Sequence, residues 1–131
     1  MNYKLYVIFI VLYIVLDMIW LQGGRTLHLA AYNKVTGQNV DKIKIDMVAG
    51  FIFYLIAPLA YFVYIKPLAK GDPKQSFYLG SLMGLLLYGT YDLTSKAIYS
   101  DRYEWSYACK DILWGTVLFG VLSYIMNKIE A

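Results

Sequence analysis

The sequence predicts an all-α fold: an integral-membrane four-helix bundle forming one domain over residues 1–131, with both termini on the same side of the bilayer. Three observations lead there. Apolar residues make up 60% of the chain and charged residues only 16%, against roughly 25% charged in an ordinary soluble domain. Four apolar segments recur along it, each near the ~20 residues that a helix needs to cross ~30 Å of hydrocarbon. Helix is the spanning form chosen because an open sheet would leave backbone groups unpaired in lipid.

The first segment, about 5–22, reads LYVIFIVLYIVLDMIWLQ. Lys4 ahead of an apolar run resembles a secretory signal. Asp17 interrupts that run, no small-x-small cleavage site follows, and three further spans do, so it is read as a span. The connection 23–46 is the longest, and its RTLHLAAYNKV stretch predicts a short helix lying at the interface. The second span, about 47–65, contains Pro58, which should bend it and free a carbonyl near residue 54. Pro67, Gly71 and Pro73 then mark a tight turn. The third span, about 77–96, carries Gly80 and Gly84 at GxxxG spacing, which permits close helix approach within the bundle or in a homo-oligomer. The fourth, about 107–126, has Gly115 and Gly120.

Four spans put the first and third connections opposite the termini. Of the 12 basic residues, five fall on the terminal side and seven on the other, which leaves orientation undecided by the positive-inside rule. A net charge of +3, scattered along the chain, excludes a nucleic-acid partner. The single Cys109 excludes an intrachain disulfide, and the single His28 excludes a multi-histidine metal site. No cofactor is specified.

The acids carry the functional signal. Asp17, Asp92 and Asp111 all fall in the half of the bilayer facing the first and third connections, and Asp46 stands at the mouth of the second span. A carboxylate in a span costs about 2.5–3.5 kcal/mol at the centre and less near an edge. Asp46 reads as interfacial and solvated; the other three need a polar interior. YIVLDMIW and YACKDILW share a Tyr-x3-Asp-x2-Trp pattern: Tyr13, Asp17, Trp20 and Tyr107, Asp111, Trp114. Tyr88 and Asp92 repeat its first half. Spacings of four and seven share a helix face, although an aromatic belt alone would also enrich Tyr and Trp here. The predicted pocket comprises Asp17, Trp20, Tyr88, Tyr91, Asp92, Thr94, Asp111 and Trp114. Lys96, Lys110, Arg25 and Arg102 are candidate ion-pair partners for its acids.

The strings LDMIW, YGTYDLTS and DILWGT together resemble a family of small, mainly bacterial predicted membrane proteins catalogued as a domain of unknown function. The resemblance covers essentially the whole chain, implies the four-span layout and picks out the same residues. It supplies no mechanism; the occurrence of members beside lipid-modification genes implies a lipid link. Members commonly carry Asn after the Leu-Thr pair, where this chain has Ser95.

Three functions fit. The first is a proton- or cation-linked permease or channel using Asp17, Asp92 and Asp111. The second is a lipid-binding or lipid-modifying protein, in which three aspartates can ligate a hard ion such as Mg²⁺. No phosphate-transfer or nucleophile–base motif accompanies it. The third is a structural or accessory subunit whose aspartates hold the bundle together.

Overall fold

Local sequence chemistry starts the helices. Asn2 caps α1 (Tyr3–Gly23), its side chain accepting from Lys4 N at 2.9 Å. Asp46 caps α3 (Met47–Ala69), accepting from Val48 N and Ala49 N, both at 3.1 Å. Asp72 caps α4 (Pro73–Tyr99), whose first residue is a proline that has no N–H to lose. α2 (Arg25–Thr36) follows α1, and α5 (Trp105–Glu130) follows a 3₁₀ turn at Ser100–Arg102. The computed structural model describes residues 2–130, and every regular element among them is helical. Asp46 is thereby accounted for as a helix cap.

α1, α3 and α5 are long and apolar enough to cross a membrane by length and composition. α4 has 27 residues, roughly 40 Å of helix, yet it is not in that group. Its inner face explains why. Ser76, Gly80, Gly84, Gly89, Asp92 and Ser95 are buried, which lowers its hydropathy, while Leu85, Leu86, Leu93 and Ile98 point outward.

Aromatic rings make up much of the core. Phe9, Tyr13, Tyr61 and Phe119 are fully buried, with ring centroids 5.4–6.4 Å apart along the chain of contacts that joins them. On α1, Val7, Val11, Val15 and Ile19 form a one-turn-spaced stripe, each more than half exposed. A stripe of that kind suits acyl chains.

At Pro58 the regular α-helix is interrupted. The α-helical part of α3 ends at Ile56, and Ala60–Ile65 widen into a π-helix. The loosened carbonyl of Leu55 accepts from the Tyr6 hydroxyl of α1. Tyr6 also stacks on Phe62, at 5.9 Å. α1 and α3 run antiparallel through these contacts and through Tyr13 against Tyr54.

The GxxxG face is used within the chain. A Cβ at Gly80 would strike the Phe119 carbonyl and Ser123, and one at Gly84 would strike the Gly115 carbonyl. Ser76 Oγ donates to Ser123 O at 2.8 Å. α4 and α5 therefore lie backbone to backbone, antiparallel, over most of their length. That leaves the face unavailable for a partner subunit.

α2 lies across the end of the bundle. Lys34 Nζ meets Glu104 Oε1 at 2.6 Å, and this hydrogen bond holds the Glu104 carboxyl below its usual range. Both side chains are half exposed, so the pair stabilises the fold only weakly.

Gly84→Ala should destabilise the protein by about 1–3 kcal/mol, because the atom it meets is backbone and cannot rotate away. Gly89→Ala, whose Cβ meets nothing within 4 Å, should change stability by no more than about 1 kcal/mol. SDS-induced unfolding in mixed micelles, followed by far-UV circular dichroism, separates the two; equal effects would refute the close-packed interface.

Candidate functional site

The two Tyr-x3-Asp-x2-Trp patterns meet face to face. Trp20 Nε1 on α1 donates to Asp111 Oδ1 on α5 at 3.1 Å. Trp114 Nε1 on α5 donates to Asp17 Oδ1 on α1 at 3.4 Å, a longer and weaker bond. The indoles stack between them, centroids 5.6 Å apart and 15° from parallel. Three residues along a helix is about 4.5 Å. The exchange thus closes only if α1 and α5 run antiparallel in this register.

Each acid has a further tie. The Tyr54 hydroxyl donates to Asp17 Oδ2 at 2.5 Å. Tyr103 donates to Asp92 Oδ1. Burial, followed by this hydrogen bond to Asp92, pushes the Tyr103 phenol well above its ordinary range, so it stays protonated and remains a donor. Asp92 is fully buried and its carboxyl faces that of Asp111. Its second oxygen, Oδ2, is buried without a hydrogen-bond partner. Below the acids the Tyr13 and Tyr88 hydroxyls share a hydrogen bond at 2.7 Å.

His28 of α2 closes the top. Its ring stands edge-on to Trp20, at 4.9 Å. Nε2 donates to the Trp20 carbonyl at 3.3 Å, and the Tyr107 hydroxyl lies 2.8 Å from Nδ1. With Nε2 carrying the proton, Nδ1 accepts from that hydroxyl.

Six of the eight residues singled out in the sequence therefore converge: Asp17, Trp20, Tyr88, Asp92, Asp111 and Trp114. Tyr91 and Thr94 do not. Tyr91 is 62% exposed, being one residue, or 100°, round the helix from Asp92. Thr94 is exposed and its hydroxyl donates back to the carbonyls of Thr90 and Tyr91.

The expected ion pairs are absent among the described residues. Lys96 bonds the Ser100 carbonyl and sits over Trp105, and the ion pairs present are Lys34–Glu104 and Lys66–Glu130. Neutral donors hold the acids instead. The three-aspartate magnesium site does not form either. No three Asp, Glu, His or Cys side chains among the described residues lie close enough to hold a metal ion; Asp92 and Asp111 pair, while Asp17 is tied to Tyr54 and Trp114.

Asp92 and Asp111 are buried, while Asp17 is only partly so. Two cavities lie near the ends of the bundle, and neither is lined by any of the eight residues. The smaller, about 70 Å³, lies between α2 and the start of α5 and touches Leu27, Ala31, Tyr103 and Tyr107. It reaches the two tyrosines that hold Asp92 and His28.

A family model described as predicted membrane protein (DUF2177) matches residues 2–127. The chain belongs to that family. No curated protein and no solved structure matches it. With three apolar helices of spanning length, it is an integral, multi-pass membrane protein.

Tyr54, Tyr103 and His28 were not among the residues singled out. Tyr54 and Tyr103 carry no pattern, because each meets its aspartate through the fold, 37 and 11 residues away. His28 carried one cue: it is the lone histidine in the segment read as an interfacial helix.

Trp20→Phe and Trp114→Phe should each destabilise the protein by about 1–3 kcal/mol, because each leaves a carboxyl oxygen without its donor. Trp105→Phe, at an exposed position, should stay within about 0.5 kcal/mol. The same mixed-micelle unfolding measures all three. Indistinguishable effects would sink the reciprocal exchange.

Proposed function

We propose that the chain crosses the bilayer four times with both termini on one side, and that the Asp92–Asp111 pair binds a proton or small cation in a proton- or cation-linked permease. Three features support the topology. α1–α3, α1–α5 and α4–α5 are each antiparallel by their contacts. α4 has ample length, and its outer face is leucine-rich.

One observation carries the binding reading: a buried carboxyl oxygen, Asp92 Oδ2, has no partner and belongs to a carboxyl facing another. A proton or small cation between them would relieve the repulsion and supply the missing contact. The cavity beside Tyr103 and Tyr107 is large enough for a water molecule and offers a route to the side of α2. On the other side Phe9, Tyr61 and Phe119 form a buried aromatic plug. A plug suits a carrier that exchanges with one side at a time better than an open channel.

The structural reading draws on the same hydrogen bonds, and the experiment separates it. Wild-type protein and Asp92→Asn, both shown to be folded and monodisperse, are reconstituted in proteoliposomes and assayed for proton and cation flux. The proposal expects flux in the wild type and none in the folded variant. A folded wild type that moves neither protons nor cations across a range of pH and ions would overturn it in favour of a structural role. Topology has its own check: tags at the two termini should be accessible from the same side, and, with Cys109 replaced by serine, a single cysteine introduced at Gln38 from the opposite one.

A further inference from the structure

A second polar cluster lies at the end of the bundle remote from the acids. The last turns of α3, the turn at Lys70–Gly71 and the last turn of α5 enclose a cleft of about 670 Å³, within the size range of small-molecule sites. Lys66, Lys70, Gly71, Asn127 and Glu130 line it, with Phe62 at its wall. Lys66 Nζ meets Glu130 Oε2 at 2.7 Å. Glu130 Oε1 is buried and has no hydrogen-bond partner among the described residues. The wholly buried Tyr61 hydroxyl lies towards the same carboxylate, also unpartnered.

Two constraints define what would fit. Two lysines and one glutamate line the cleft, leaving one net positive charge for an anion. Glu130 Oε1 has two lone pairs: the Tyr61 hydroxyl lies towards the carboxylate, and a second hydrogen-bond donor can come from the same ligand. A phosphate diester bearing an ammonium or hydroxyl group meets both, with phosphate oxygens on Lys70 and Lys66 and the donor on Glu130 Oε1. The location suits a lipid. The outer face of α3 beside the cleft presents Val63, Tyr64 and Leu68, each about half exposed or more, along which an acyl chain can lie.

We propose that this cleft binds the headgroup of a phospholipid whose headgroup carries a hydrogen-bond donor, such as ethanolamine or glycerol. The site is separate from the aspartate pair and does not rest on the permease reading.

The test uses the full-length protein in mild detergent and native mass spectrometry. The probes are phosphatidylethanolamine, phosphatidylglycerol, phosphatidylcholine and inorganic phosphate. Phosphatidylethanolamine and phosphatidylglycerol should bind about tenfold more tightly than phosphatidylcholine, whose quaternary ammonium has no N–H to donate. Lys70 has φ +51°, a left-handed conformation that Asn also tolerates. Lys70→Asn should therefore fold and weaken binding about tenfold. Glu130→Ala should erase the preference over phosphatidylcholine while phosphate-dependent affinity remains, and Asp92→Asn should bind as the wild type does. Equal affinity for all three lipids, or wild-type affinity in Lys70→Asn, overturns the proposal. Lys70-dependent binding of inorganic phosphate without any headgroup preference also overturns it, and assigns the cleft to the free anion.

Discussion

A carboxyl group inside a membrane domain must find hydrogen-bond donors, and in this chain the donors stand mainly on other helices. That constraint organises one half of the molecule. The Trp20–Asp111 and Trp114–Asp17 bonds lock α1 to α5 in one antiparallel register. Tyr54 ties α3 to the same α1 aspartate, and Tyr103 ties the connection after α4 to Asp92. The donors are indole and phenol groups rather than lysine or arginine. Each adds a large apolar body to the core while offering one polar atom, and none brings a second charge that would need its own desolvation.

The close approach of α4 and α5 makes the acid pair possible. Asp92 and Asp111 face each other because Gly80 and Gly84 let the two backbones come together further along the same interface. With a bulkier residue at Gly84, α4 would be pushed away from the Gly115 carbonyl. The interface would splay, separating the carboxyls. Away from the acids, the core turns aromatic through Phe9, Tyr61 and Phe119, then polar again at Glu130 and Lys66. The chain thus carries polar clusters towards both ends with buried aromatic rings between them.

Helical architecture, the short helix α2 and the interruption at Pro58 were legible in the sequence because each follows from local composition or backbone chemistry. So was the importance of Tyr-x3-Asp-x2-Trp, since its spacing puts all three side chains on one helical face. The segment 77–96 reads as a fourth span in the sequence, yet α4 is not among the three helices apolar enough to cross by composition. Its inner face is small and polar, so composition alone ranks α4 below the other three long helices. The same stretch misled the choice of Tyr91 and Thr94, which are neighbours of Asp92 in sequence but lie on the outer face of the helix. Lysines and arginines close to the acids in sequence suggested ion pairs that the fold does not make.

By itself the sequence determined that this is a multi-helix membrane protein, and that three aspartates in its apolar segments would need internal partners. Both follow from the free energy of placing a residue in hydrocarbon, which depends on residue type and little on context. Only the tertiary structure decided which donor meets which acid, that Asp92 faces Asp111 while Asp17 is held by Tyr54 and Trp114, and that the glycine face is used inside the chain. Those outcomes depend on helix register and rotation. They are set by packing between residues as many as 97 positions apart, a separation that no local pattern encodes.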